Sequence, residues 1–196
     1  MEQRISKITR ETKETKITLS LNIDGARMIE VSTGIGFLDH LITSLAFHAG
    51  FDLSLKCEGD LKTDDHHSVE DCALALGIAI DESLGDRSKI KRFGFAYVPL
   101  DESLARAVVD LSGRPSAHID LNLTPRLIGN LATENITHFL HSLAMTGKMA
   151  LHVDVIKGVN DHHKAEAAFK AVAIALRESS QVSTFSSIPS TKGTLT

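Results

Sequence analysis

The chain has 196 residues, 42% of them hydrophobic and 23% charged, with a net charge of −4. That balance supports a packed core and excludes intrinsic disorder, a collagen-like chain and a coiled coil. No apolar run approaches the roughly 18–20 residues that span a bilayer, and an acidic chain with 5% aromatics and no Trp suits neither a membrane nor a nucleic-acid partner.

The polar opening, MEQRISKITRETKETK, shows no secretory signal and reads as an N-terminal strand that brings in Glu14. Ile17, Leu19, Leu21 and Ile23 alternate with polar residues, the pattern of a half-buried strand. Asp24-Gly25 signals a turn, and Met28 to Thr33 reads as the return strand. A helix over about 37–49 carries His40, and Leu53, Leu55 and Cys57 then alternate as a strand. Asp65-His66-His67-Ser68-Val69-Glu70 opens a second helix of small apolar residues. Beyond it, Phe95 to Leu100, Ala105 to Leu111 and Ala117 to Leu123 are strand-like. A helix over about 134–147 carries His138, Leu151, Val153 and Val155 alternate, and Asp161-His162-His163-Lys164-Ala165-Glu166 opens the last helix. The polar tail, SSIPSTKGTLT, reads as a loose end. Cys57 and Cys72 lie in apolar-patterned segments and are expected to be reduced, buried thiols of a cytoplasmic protein.

This list contains the same half twice. The two D-H-H-x-x-E motifs are 96 residues apart, and His40-Leu-Ile-Thr-Ser-Leu-Ala and His138-Phe-Leu-His-Ser-Leu-Ala are 98 apart. Two independent landmarks recur in the same order at nearly the same offset, which points to a tandem duplication. The expected fold is α+β. Residues 1–92 and 93–196 each form a β-β-β-α-β-α half, a four-stranded mixed sheet with two helices on one face, and the halves make one domain.

On a helix, positions i and i+4 share a face and i+1 is turned aside by about 100°. His66 therefore points with Glu70, and His162 with Glu166, while His67 and His163 are free to reach a second ion. With His40 and His138 the repeated candidates are six His and two Glu, enough for two sites of three imidazoles and one carboxylate. Imidazole with carboxylate suits Mn, Fe, Co or Zn, and the absence of thiolate ligands argues against a structural zinc site. His48, His118, His141 and His152 lie outside the repeated pattern and read as ordinary surface or core residues. Taken singly, Arg92, Arg114 and Lys192 read as solvated surface charges. A Ser190-x-Lys192-Gly193 tail nevertheless has the hydroxyl, backbone N–H groups and ammonium to wrap an anion.

Together these residues resemble the imidazoleglycerol-phosphate dehydratase family of histidine biosynthesis, over nearly the whole chain. The resemblance rests on Arg10-Glu-Thr-Lys-Glu14-Thr, Gly36-Phe-Leu-Asp-His40, Asp65-His-His-Ser-Val-Glu-Asp71, Val109-Asp-Leu-Ser-Gly-Arg-Pro115, Asn160-Asp-His-His-Lys-Ala-Glu-Ala167 and Ser190-Thr-Lys-Gly193. It implies two Mn2+ ions per subunit in sites shared between subunits, and a trimer-based assembly of 24 subunits. It also implies phosphate binding by Arg92, Arg114, Ser190 and Lys192. The implied reaction dehydrates imidazole glycerol phosphate to imidazole acetol phosphate through a metal-bound imidazolate and a diazafulvene-like intermediate. The expected base is Glu14, with Lys170 delivering or accepting a proton and Asp101 orienting the ring. Four residues after His40, where the family often has Gln, this chain has Ser44; that departure touches one substrate contact and no metal ligand. Two rival readings use the same ligands. One is a dinuclear phosphoester hydrolase, distinguished by phosphate release. The other is a metal-nucleated storage or structural oligomer, which leaves Glu14 and the tail without a role.

Overall fold

In the computed structural model, which describes residues 4–183, 188–193 and 195, the alternating segments form two four-stranded sheets. The first half runs β1 (Ile5–Glu11), β2 (Thr15–Asn22), β3 (Ile29–Ser32), α1 (Gly36–Ala49), β4 (Asp52–Gly59) and α2 (His66–Leu84). The second runs β5 (Phe93–Leu100), β6 (Ser103–Asp110), β7 (Ser116–Asp120), a small hairpin of β8 (Leu127–Ile128) and β9 (Leu131–Ala132), then α3 (Thr133–Thr146), β10 (Ala150–Lys157) and α4 (Asp161–Ser180). The strand orders, β1-β2-β4-β3 and β5-β6-β10-β7, are the same topology twice. In each sheet the last-named pair is parallel and the others antiparallel, so both sheets are mixed.

The sheet order corrects one expectation. Met28 to Thr33 was expected as the return strand of a hairpin after Asp24-Gly25, but β3 does not pair with β2: β4 lies between them. The hairpin is β1–β2, closed over Thr12 to Glu14, so Glu14 stands in a turn one residue before β2 rather than within a strand. The β8–β9 hairpin has no counterpart in the first half and no strong sequence signal. Of the tail, residues 186, 187, 194 and 196 lie outside the described residues. Leu195 is buried rather than loose, in a cleft lined by Arg87, Gly113 and Lys148.

Apolar burial holds the halves together through their helices. Val69, Cys72, Ala73, Leu76 and Ile80 bury one side of α2, and Ala165, Ala168, Phe169, Val172 and Leu176 bury one side of α4. Both cysteines are free thiols and buried. α2 and α1 cover the first sheet, α4 and α3 the second. The helices then pair across the repeat, α1 against α4 and α2 against α3. A Cβ on Gly77 would stand 2.1 Å from Thr146 Oγ1 and 2.7 Å from the Leu143 carbonyl oxygen, so the α2–α3 approach needs glycine there. This crossed pairing positions the site, because it brings the single His of each half to the HHxxE helix of the other.

Candidate metal centre

Both HHxxE motifs lie in the first turns of their helices, and local capping holds them there. The Asn160 side chain accepts from the His162 N–H at 3.0 Å, and Asp64 Oδ1 accepts from the His66 N–H at 2.9 Å. These are N-terminal backbone donors that the helix itself leaves unpaired. One helical turn separates each first His from its Glu, which places both on one face.

Two groups result. His40, His162 and Glu166 form one, His66, Glu70 and His138 the other, and within each group the candidate ligand atoms all lie within 4.8 Å of one another. Glu166 Oε2 is 3.2 Å from His40 Nε2 and 3.3 Å from His162 Nε2. Glu70 Oε1 is 3.1 Å from His138 Nε2, and Glu70 Oε2 is 4.0 Å from His66 Nε2. The groups are repeat images of each other, and each draws one His from the opposite half. The second His of each motif stays out of these groups, as the 100° rotation requires. His67 Nδ1 turns to Asp60 at 3.0 Å, and His163 Nδ1 to Glu102 at 2.7 Å.

Neighbouring groups set the tautomers. Asn135 donates its amide nitrogen to Asp65 Oδ1 at 3.0 Å, so its oxygen faces His66 Nδ1, also at 3.0 Å. Nδ1 of His66 is therefore the protonated nitrogen, and Nε2 presents its lone pair to the group. Asp60 and Glu102 do the same for His67 and His163, since a carboxylate there can only accept. Hydrogen bonding to those carboxylates raises the pKa of both imidazoles. A ring held through Nδ1 with Nε2 free is the usual state of a metal-ligating His. Burial pushes the Glu166 carboxyl up, but hydrogen bonds from Lys170 and His40 outweigh it and bring the pKa down to about 2.

The remaining expected residues are placed as follows. Lys170 Nζ lies 2.7 Å from Glu166 Oε1, so it orients a candidate ligand of the first group; its counterpart after Glu70 is Leu74. Glu14 is exposed, with Oε1 3.7 Å from His67 Nε2. Asp101 lies on an exposed turn, 3.8 Å from His163 Nε2. Arg92 is engaged: it pairs with Asp110 at 2.7 and 3.0 Å and donates to the Pro189 carbonyl at 2.7 Å, which ties the tail to the start of β5. Among the described residues the Arg114 guanidinium meets the Ser112 carbonyl, at 3.4 Å. Ser190 Oγ accepts from the Lys192 N–H at 3.2 Å in an exposed turn. Ser44 is buried with its hydroxyl unpaired among the described residues.

Sequence reasoning missed Asn135, Asp60 and Glu102. Only Glu102 had a legible signal, because it precedes β6 as Glu14 precedes β2 in the repeat.

The family model described as imidazoleglycerol-phosphate dehydratase matches residues 33–176. The chain is 54% identical over 192 residues to the imidazoleglycerol-phosphate dehydratase of Phytophthora nicotianae, covering 98% of this chain and 42% of that protein. It is 48% identical over 206 residues to the one from Candida glabrata, covering 96% of this chain and 98% of that protein. Among solved structures it is similar to imidazoleglycerol-phosphate dehydratase of Staphylococcus aureus subsp. aureus N315, with a TM-score of 0.79 and 35% identity over 91% of this chain and 98% of that one. The Pyrococcus furiosus enzyme gives a TM-score of 0.82 and 35% identity over 95% and 99%.

Proposed function

Because the chain belongs to the imidazoleglycerol-phosphate dehydratase family, we propose that it converts imidazole glycerol phosphate to imidazole acetol phosphate, a hydro-lyase step of histidine biosynthesis, using two Mn2+ ions per subunit. The observation that carries this is the pair of repeat-crossed groups, each two imidazoles and one carboxylate with the ligand atoms within 4.8 Å of one another. The donors fit such ions: nitrogen and carboxylate oxygen without thiolate, with the His66 tautomer already set by Asn135. His40, His162 and Glu166 would hold one ion and His66, Glu70 and His138 the other. His67 and His163, which lie outside both groups, would complete the sites of neighbouring copies. When bound, the ions supply Lewis acidity toward the substrate's imidazole ring.

The chain's own residues do the rest. Glu14 takes the carbon-bound proton, which is not acidic and needs a positioned base; such help is typically worth ~10²–10⁴-fold. Lys170 holds the Glu166 carboxylate in place and stands ready to exchange a proton beside it. Asp101 stands next to His163, where it would orient the ring. Arg114 and Lys192, which have no ion-pair partner among the described residues, would offer charge to the phosphate, Ser190 a hydroxyl, and Arg92 anchors the tail that carries two of these groups. The family resemblance implies an assembly of 24 subunits, and the exposed aromatic stripe of Phe93, Phe95 and Tyr97 on the outer face of the second sheet suits contact between copies.

The test is ketone formation from imidazole glycerol phosphate by metal-stripped protein, with and without added Mn2+. The reading expects turnover only with Mn2+. Phosphate release without ketone would instead identify a hydrolase.

A further inference from the structure

We propose that Asp71 positions the Glu14 carboxylate, an inference that rests on Glu14 being the base. Asp71 follows the Glu70 ligand on α2 and turns away from the metal group toward the β1–β2 hairpin. It is nearly buried, with a side-chain exposure of 7%. Both its oxygens are used. Oδ1 accepts from Arg10 Nε at 3.0 Å and Nη2 at 2.7 Å, and Oδ2 accepts from Thr15 Oγ1 at 2.5 Å. Arg10 is on β1 and Thr15 opens β2, so one carboxylate clamps the strands on both sides of the turn that carries Glu14.

Inside that clamp the Glu14 backbone is held at both ends. Thr12 Oγ1 accepts from the N–H groups of Glu14 at 3.1 Å and Thr15 at 2.9 Å, and the Glu14 carbonyl accepts from the Asp60 N–H at 3.1 Å. Asp60 in turn holds His67. The main chain of Glu14 is thereby referenced to the metal-bearing helix through Asp71 and to the loop before that helix through Asp60. Among the described residues its carboxylate has only the long contact to His67 Nε2, at 3.7 Å.

The duplication supplies a control. The residue one beyond Glu166 is Ala167, so the second half builds the same hairpin beside the same helix without an acid there. Its equivalent of Glu14, Glu102, is saturated: it accepts from His163 Nδ1 at 2.7 Å and from the N–H groups of Val159 and Asn160 at 3.1 and 2.9 Å. In the first half Asp60 takes over the His67 Nδ1 contact and releases Glu14. A turn that fixes itself through its own glutamate needs no buttress. A turn that must present a free carboxylate at a set distance does, and Asp71 provides it.

Misplacing a reacting group by about 1 Å costs on the order of 10²-fold in rate. For Asp71→Asn we therefore expect kcat to fall by about 10- to 100-fold, with KM within about twofold of wild type and metal content unchanged. The deciding readout is the double variant. If Asp71 acts through Glu14, adding Asp71→Asn to Glu14→Gln lowers kcat no further. Multiplying losses in the double variant, with Glu14→Gln alone losing the expected ~10²–10⁴-fold, would overturn the role of Asp71 and leave the base standing. Full turnover by Glu14→Gln would remove the base and this inference with it. Should Asp71→Asn not fold, the Thr15 pair decides. Thr15→Val, which removes one donor to Asp71, should lose kcat at constant KM, and Thr15→Ser should restore it. Wild-type kcat in Thr15→Val would contradict the clamp.

Discussion

At the scale of single residues, chemistry in this chain divides between groups that are satisfied and groups that are not. Glu166 is satisfied by Lys170, His40 and His162. Glu14 has one weak partner, His67, at 3.7 Å. Substituting the two acids should therefore give different results. Glu14→Gln should keep fold, metal and substrate affinity and lose ~10²–10⁴-fold in kcat, the usual worth of a positioned base. Glu166→Gln removes an ionic ligand and should lose metal and activity together. Metal analysis beside kcat on the purified variants separates the two cases, and near-normal kcat in metal-replete Glu14→Gln would take Glu14 out of the mechanism. The six residues that converge were all legible as a repeated i, i+4 pattern with a matched upstream His. Asn135 and Asp60 were not, because a residue that hydrogen-bonds a ligand has no fixed spacing from it in sequence.

At the scale of elements, alternation and helix length were read well, and pairing was read less well. Local turn chemistry cannot tell a hairpin from a crossover. Asp24-Gly25 reads as a hairpin, yet its glycine serves a different need: a Cβ there would sit 2.2 Å from the Asp52 backbone nitrogen. Asp52 opens β4 and accepts from the N–H groups of Ala26 at 2.7 Å and Met28 at 2.8 Å, so it anchors the crossing chain. These backbone donors, led by Met28, outweigh desolvation and hold its carboxyl below the ordinary Asp range. A depressed carboxylate contributes stability above its unfolded pKa and loses it as pH falls through the folded one. Asp52→Asn should therefore flatten the loss of stability below about pH 4, measured by denaturant titration across that range; an unchanged acid limb would show that the carboxylate does not anchor the crossover. The α2–α3 contact makes a second prediction. Gly77→Ala forces a methyl against Thr146 and Leu143, and overpacking of this kind costs about 1–3 kcal/mol. It should lower the melting temperature and weaken metal binding at the His66, Glu70 and His138 group, because His138 rides on α3. Wild-type melting with wild-type metal affinity would mean that the helices part without cost.

At the scale of the whole molecule, the duplication assembles candidate metal groups that each draw one His from the opposite half. His40 reaches α4 and His138 reaches α2, so each candidate ion would bridge the repeat. On the proposed reading, His67 and His163, which bond Asp60 and Glu102 outside these groups, would serve sites shared with other copies. Stripping the metal should then reduce particle mass as well as activity, because ligand binding stabilises the assembled state by mass action; light scattering before and after chelation reads this directly. The central claim is that the two crossed groups each hold one catalytic ion. Metal titration of stripped protein, run on wild type, His40→Ala and His138→Ala, tests it most directly. The account predicts two Mn2+ per chain for wild type, about one for each variant by the loss of one ligand group, and ketone formation that rises with occupancy. Two tightly bound ions in both variants, or full turnover by the metal-free protein, would contradict it.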